Sequence, residues 1–140
     1  MRSKADAAIL AFDFGTRRIG VAIGNTLTRS ARALTTIDAR DENARLAALD
    51  RLVREWAPAR LVVGLPVHAD GSEHAMTTRA RTFAATLAAR YALPVELEDE
   101  RHTSEIARDA LAGGGRDARA RRDEVAAQII LQAYLDTHDA

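Results

Sequence analysis

The sequence contains no cysteine and, apart from Lys4, no lysine. The absence of cysteine excludes disulfides and any metal site built on thiolates, and it is consistent with a reducing cytoplasm. The apolar stretch after the charged N-terminus is too short for a signal sequence or a membrane span, and Asp13 interrupts it. We therefore expect a cytoplasmic protein with no membrane partner. The 140 residues predict a flexible N-terminus (1–6) and one domain (7–140).

Net charge is also absent, because 20 basic residues balance 20 acidic ones. This balance disfavours a protein whose main task is to coat nucleic acid, since affinity for the phosphate backbone depends largely on cationic charge. The basic residues are nearly all arginine, and they cluster at Arg17–Arg18 and again between Arg116 and Arg122. Arginine binds phosphate through paired hydrogen bonds, so both clusters are candidate phosphate contacts. A general bias towards alanine and arginine is the alternative explanation.

Hydrophobic periodicity and turn residues predict an α/β protein. The predicted strands are 7–14, 19–25, 32–38, 59–66 and 94–100. The predicted helices are 41–57, 76–91, 103–111 and 121–139, with a loop at 113–122 before the last of them. Three hairpin-linked strands followed by alternating helices and strands are the layout of the ribonuclease H-like fold. We expect a mixed five-stranded sheet, with an antiparallel three-stranded meander followed by parallel strands, flanked by helices.

Three acidic positions stand where an apolar element meets a loop. Asp13 ends the first strand, Asp99 and Glu100 end the fifth, and Asp123 opens the last helix. If strands one and five are neighbours and the helix packs across their ends, the carboxylates converge, and a hard cation such as Mg²⁺ or Mn²⁺ is the natural occupant. Taken singly, each acid has a structural alternative: a turn acceptor, an ion pair with Arg101, or a helix-cap residue. The four histidines lack ligand spacing, and no serine or cysteine nucleophile is evident.

Four segments in register resemble one known family. They read DFGTRRIGVAIGN (13–25), VVGLPVHADGS (62–72), EDERHTSEIARDAL (98–111) and RRDEVAAQIILQAYLD (121–136). This pattern resembles the YqgF family, also called RuvX, a group of bacterial proteins similar to Holliday-junction resolvases and assigned to nucleolytic processing of pre-16S rRNA. The resemblance runs from about residue 8 to residue 136.

The resemblance implies a ribonuclease H-like fold and a phosphodiester nuclease that uses one or two Mg²⁺ or Mn²⁺ ions. The family's acidic positions, which are both catalytic and metal-binding, fall on Asp13, on Glu100 in preference to Asp99, and on Asp123. Other parts of the family pattern imply nucleic-acid contacts at Gly15, Thr16, Arg17, Arg18, Arg101 and Thr103. Two departures are small: GTRR stands where GTKR is common, and His102 stands where an apolar residue is usual.

The expected function is processing of the 5′ end of pre-16S rRNA during ribosome biogenesis, by a monomer or weak homodimer. One alternative is a resolvase-like endonuclease acting on branched DNA in recombination or repair, which would need two active sites and hence a symmetric dimer. Another is a non-catalytic RNA-binding factor on the same fold. A third is an actin-like or sugar-kinase ATPase, which shares the DFGT opening. Those ATPases, however, bind nucleotide between two copies of the fold, and 140 residues supply only one.

Overall fold

The computed structural model describes residues 8–102 and 116–138. Its strands are β1 Ala8–Phe14, β2 Arg18–Asn25, β3 Ser30–Asp38, β4 Arg60–Leu65 and β5 Val95–Asp99. Its helices are α1 Glu42–Trp56, α2 Ala75–Tyr91 and α3 Arg116–Thr137, with a 3₁₀ turn at Glu100–His102. None of the helices in these ranges combines the length and apolar character that a membrane crossing requires. The predicted helix at 103–111 and the predicted flexible N-terminus (1–6) lie outside the described residues.

The strands form one mixed sheet in the order β3-β2-β1-β4-β5. β1, β2 and β3 pair antiparallel, whereas β4 runs parallel to β1 and β5 runs parallel to β4. The predicted meander followed by parallel strands is confirmed. Because parallel strands end at the same edge of a sheet, the C-terminal ends of β1 and β5 lie on one edge, with β4 between them.

The two faces of the sheet bury different sets of side chains. On β1, Leu10 and Phe12 belong to the core beneath α1 and α2, whereas Ile9 and Ala11 pack in a second cluster with α3. Successive residues of a strand point to opposite faces. Asp13 therefore points to the same face of the sheet as Ile9 and Ala11, the face that α3 covers. The alternation along the strand predicts the direction of the Asp13 side chain as well as the burial of its neighbours.

Helix α3 begins at Arg116, so the predicted start at residue 121 and the predicted loop through residue 122 are wrong. Alanine and arginine are strong helix formers, and no proline or glycine separates Arg116 from Asp123, so the helix extends towards the N-terminus. Asp123 consequently lies about two turns inside the helix rather than at its opening. The alternative of a helix-cap role for Asp123 is excluded by this placement. Asp41, by contrast, caps α1, because its side chain accepts from the N–H groups of Asn43 and Ala44.

Candidate active site

Asp13 lies at the C-terminal end of β1, directly opposite Gly20 of β2. Cross-strand partners share a face of the sheet, and Gly20 faces α3, where Asp123 lies. Burial and, to a smaller extent, the negative charge of Asp123 raise the pKa of Asp13 to about 7. The Asp13 carboxylate is thus held in a desolvated place beside like charge, which raises the free energy of its ionised form.

Glu100 occupies the 3₁₀ turn that follows β5. Burial raises its pKa to about 8, with further contributions from the charges of Asp13 and then Asp99. Its side chain lies over Gly64 of β4, where a Cβ atom would stand 2.5 Å from Glu100 Oε2. The absence of a side chain at Gly64 therefore makes the room that Glu100 occupies.

Asp99 has a different environment from Glu100. Its carboxylate accepts from the backbone N–H of Arg101 at 2.8 Å and from Arg101 Nε at 2.9 Å. Arg101 and Asp99 thus form a partly exposed ion pair at the surface. Of the two acids, Glu100 is the buried one and its pKa is raised in part by the charge of Asp13.

Asp123 approaches the sheet through a backbone contact that only glycine permits. A Cβ atom at Gly20 would lie 1.9 Å from the carbonyl oxygen of Asp123, so α3 could not pack this closely against any other residue. The Asp123 carboxylate accepts a hydrogen bond from Arg18 Nε at 2.6 Å. Asp123 is therefore held in an ion pair with Arg18, whereas the charge of Asp13 helps to raise the pKa of Glu100.

The three carboxylates interact as two pairs, and Asp13 belongs to both of them. Its charge interacts with Asp123 on one side and with Glu100 on the other. Within residues 8–102 and 116–138, no group of three His, Cys, Asp or Glu side chains is close enough to hold one metal ion. The donor chemistry nevertheless fits a hard divalent cation, because Asp13 and Glu100 offer carboxylate oxygens in a partly buried place.

The predicted nucleic-acid contacts of the β1–β2 turn lie beside these acids. Gly15 allows the turn to close, since a Cβ atom there would stand 2.6 Å from the carbonyl oxygen of Arg18. Thr16 and Arg17 are exposed at the tip of the turn. The carbonyl of Arg17 accepts from the N–H of Ala39 at 2.8 Å, which anchors the turn to the end of β3.

A hollow of about 320 Å³ opens next to this turn. Arg17, Arg18 and Arg40 line it together with Thr36 and Asp38. Arg40 is held by a short ion pair to Asp38, with 2.6 Å between Nη2 and Oδ2. Sequence reasoning missed Arg40. The available signal was its position two residues after the predicted third strand, in a meander whose third strand pairs with the strand of Arg18.

The other predicted contacts belong to the β5 side of the site. Arg101 lies against the loop that follows β4, with Nη1 3.0 Å from the place where a Cβ atom of Gly71 would be. Gly71 has φ +91°, a conformation that favours glycine. Thr103 lies outside the described residues.

The model of a family described as "RuvX: Holliday junction resolvase" matches residues 7–137. The chain belongs to the RuvX family. A relative from Burkholderia mallei (strain SAVP1), named "Putative pre-16S rRNA nuclease", is 51% identical over 131 residues, which cover 94% of this chain and 89% of the relative. A relative of the same name from Nitrosomonas europaea is 48% identical over 143 residues, covering 100% of this chain and 97% of the relative.

Solved structures of RuvC share the fold. T. thermophilus RuvC in complex with a Holliday junction substrate is 14% identical, with a TM-score of 0.54 over 95% of this chain and 98% of the other. A second Thermus thermophilus RuvC structure has a TM-score of 0.52 over 93% of this chain and 97% of the other. The ribonuclease H-like fold expected from the order of elements is confirmed, and the RuvX chain belongs to a family of nucleases.

Proposed function

We propose that this RuvX chain is a divalent-metal-dependent phosphodiester nuclease that processes the 5′ end of pre-16S rRNA. The observation that carries the proposal is the placement of Asp13 at the sheet edge to which α3 brings Asp123 and the turn after β5 brings Glu100, near enough for the charge of Asp123 to act on Asp13 and that of Asp13 on Glu100. The names of relatives at about half identity supply the substrate. The same family match favours a nuclease over the ATPase alternative.

Asp13 and Glu100 would hold the metal, with Mg²⁺ or Mn²⁺ as the expected ion. Asp123 would be the third carboxylate, available once its ion pair with Arg18 is exchanged for contacts with substrate. When bound, a cation of this kind stabilises charge on the phosphoryl group and lowers the pKa of an attacking water. One or two ions would be bound.

The chain's own residues position the nucleic acid. The hollow lined by Arg17, Arg18 and Arg40 is wide enough for a backbone phosphate and presents guanidinium groups to it. Arg18 joins this hollow to the acids, because its Nε is bound to Asp123 while its side chain also lines the hollow. A strand lying along the β1–β2 turn would therefore lead from the arginines towards the acids. Arg101 would contact the strand from the β5 side, and we retain Gly15, Thr16 and Thr103 as candidate contacts.

A paired cleavage assay tests this function. The full chain, with Mg²⁺ or Mn²⁺, is offered a pre-16S 5′-leader RNA and a four-way DNA junction in parallel. We expect cleavage of the RNA, and a loss of about 100-fold or more in Asp13→Asn, because a carboxylate that touches the metal is removed.

Asp50→Asn is the matched control, since Asp50 is a surface acid paired with Arg90 on the far helices. It should cleave like the unmodified chain. Full activity in EDTA would exclude the metal mechanism. Cleavage of the junction with no cleavage of the RNA would replace the rRNA assignment with the DNA alternative.

A further inference from the structure

A second concave site lies on the opposite face of the sheet from Asp13. It is a cavity of about 270 Å³ between α1, α2 and the end of β1. Its apolar wall is built by Phe14, Phe83, Leu46 and Leu49, and the two phenylalanine rings are packed with their centroids 4.8 Å apart. The cavity is near the lower end of the size range for small-molecule sites.

Arg45 of α1 brings an unsatisfied donor to this cavity. Its Nε is buried, and no described residue accepts a hydrogen bond from it. The nearest acid is Glu42, whose Oε2 lies 3.7 Å from Arg45 Nη2, beyond hydrogen-bond distance. A buried donor without an acceptor is unfavourable by about 1–3 kcal/mol. The Arg45 guanidinium therefore has hydrogen-bonding capacity that no described residue uses.

Helix α2 adds further polar groups on the facing side. Arg79 lines the cavity, and so do Thr78, Thr82 and Thr86, which recur every four residues along one helix face. The Thr86 hydroxyl donates to the carbonyl of Thr82, so its oxygen can still accept a hydrogen bond. Two guanidinium groups and a row of hydroxyls thus line the same cavity as the aromatic and aliphatic side chains.

We propose that this cavity binds a nucleotide, with its phosphate on Arg45 and Arg79 and its base against Phe14 and Leu46. A phosphate is the acceptor that paired arginines favour. A planar base is the apolar group that an aromatic wall accommodates, as in proteins that bind single strands. Inorganic phosphate alone would leave the apolar wall unused. The nucleotide is either free or an unpaired nucleotide of an RNA strand, since both present the same groups.

The cavity is adjacent to the acidic site but separate from it. Phe14 follows Asp13 directly in β1, and their side chains point to opposite faces of the sheet. A nucleotide bound against Phe14 would thus contact the neighbour of the acid without touching any carboxylate of the site. The proposal depends on the cavity alone and stands whether or not the chain cleaves RNA.

Isothermal titration of the full chain in EDTA tests the proposal without interference from cleavage. The probes are AMP, UMP, inorganic phosphate and a five-nucleotide RNA. We expect a nucleotide to bind more tightly than inorganic phosphate, and Arg45→Met to weaken that binding about tenfold or more, the loss expected for charged hydrogen bonds. Arg79→Met removes an exposed arginine and should weaken binding in the same direction without disturbing the core.

Arg51→Met is the matched control, because Arg51 lies on the same helix but lines a different hollow. It should bind like the unmodified chain. If the RNA binds tightly and Arg45→Met abolishes that binding, the ligand is a nucleotide of an RNA strand. If AMP or UMP binds but the RNA does not, the ligand is a free nucleotide. Equal affinity for inorganic phosphate and nucleotides, equal affinity of Arg45→Met and Arg51→Met, or no binding of any probe at millimolar concentration overturns the proposal.

Discussion

Glu100 and Asp99 are adjacent carboxylates with opposite environments. Glu100 lies over the backbone of Gly64 and beside the charge of Asp13. Asp99 is bound by the backbone and side chain of Arg101 at the surface. At the scale of the residue, therefore, one carboxylate of the pair is buried beside another acid and the other is held in an ion pair.

The two acids provide a matched pair of substitutions. We expect Glu100→Gln to lose about 100-fold or more in metal-dependent cleavage, because it removes a proposed ligand while keeping the shape of the side chain. Asp99→Asn should stay within a few-fold of the unmodified chain. The measurement is the initial rate on the leader RNA at saturating Mg²⁺. The reverse order of the two variants would assign the ligand to Asp99.

Helix α3 is the element that brings Asp123 to the acids, and β2 is the element that receives it. β2 presents small residues to α3: Gly20 meets the backbone of Asp123, Ala22 is buried in the cluster beneath the helix, and Gly24 meets Leu131. The resulting close approach also allows the ion pair between Arg18 and Asp123. Placement of the third carboxylate is thus a property of how two elements pack.

Gly20→Ala is expected to push α3 away from the sheet. The added methyl group would lie 1.9 Å from a backbone oxygen, which cannot move without the helix. We expect a loss of about 3 kcal/mol in the free energy of unfolding, at the upper end for overpacking, and reduced cleavage. Urea unfolding followed by the fluorescence of Trp56, the single tryptophan, measures the stability.

Gly24→Ala serves as the comparison on the same strand. Its Cβ atom would lie 2.8 Å from a methyl group of the Leu131 side chain and 3.0 Å from the carbonyl oxygen of Ser30. A side chain can adjust where a helix backbone cannot, so we expect a smaller loss than in Gly20→Ala. An equal or larger loss in Gly24→Ala would show that the contact at Asp123 is not the tighter one.

At the scale of the whole molecule, these buried acids make the stability of the folded state depend on pH. In the folded chain the pKa of Asp13 is raised to about 7 and that of Glu100 to about 8, from ordinary values of 3.8 and 4.5. The folded state therefore binds protons more tightly than the unfolded state. The stability that this contributes is complete below about pH 4 and is lost as pH rises through 7 and 8.

We expect the midpoint of urea unfolding, measured in EDTA, to fall between pH 5 and pH 8.5. Asp13→Asn should flatten this slope, because it removes one of the two titrating groups. Asp38 titrates in a different pH range, because its hydrogen bonds to Arg40 lower its pKa to about 2. Its contribution to stability is lost only in acid. Added Mg²⁺ should raise the midpoint most at the alkaline end, where the carboxylates are ionised. A midpoint that is constant or rises across this range would contradict the raised pKa values.

The sequence by itself determined the strands, the order of elements and the acids at strand ends. Period-two burial in β1 and the charged residue that ends it are local patterns, and local patterns can be read without knowing the fold. The start of α3 was misplaced, because a run of alanine and arginine suits both a loop and a helix until packing decides.

Only the tertiary structure decided which groups meet. The ion pair between Arg18 and Asp123 joins residues 105 positions apart, and Arg40 reaches the same hollow from the end of β3. The burial of Glu100 depends on the space above Gly64, and the cavity beside Phe14 exists because α1 and α2 leave it between them. Distances between groups remote in the chain are set by how helices and sheet pack, and a single sequence carries no direct record of that packing.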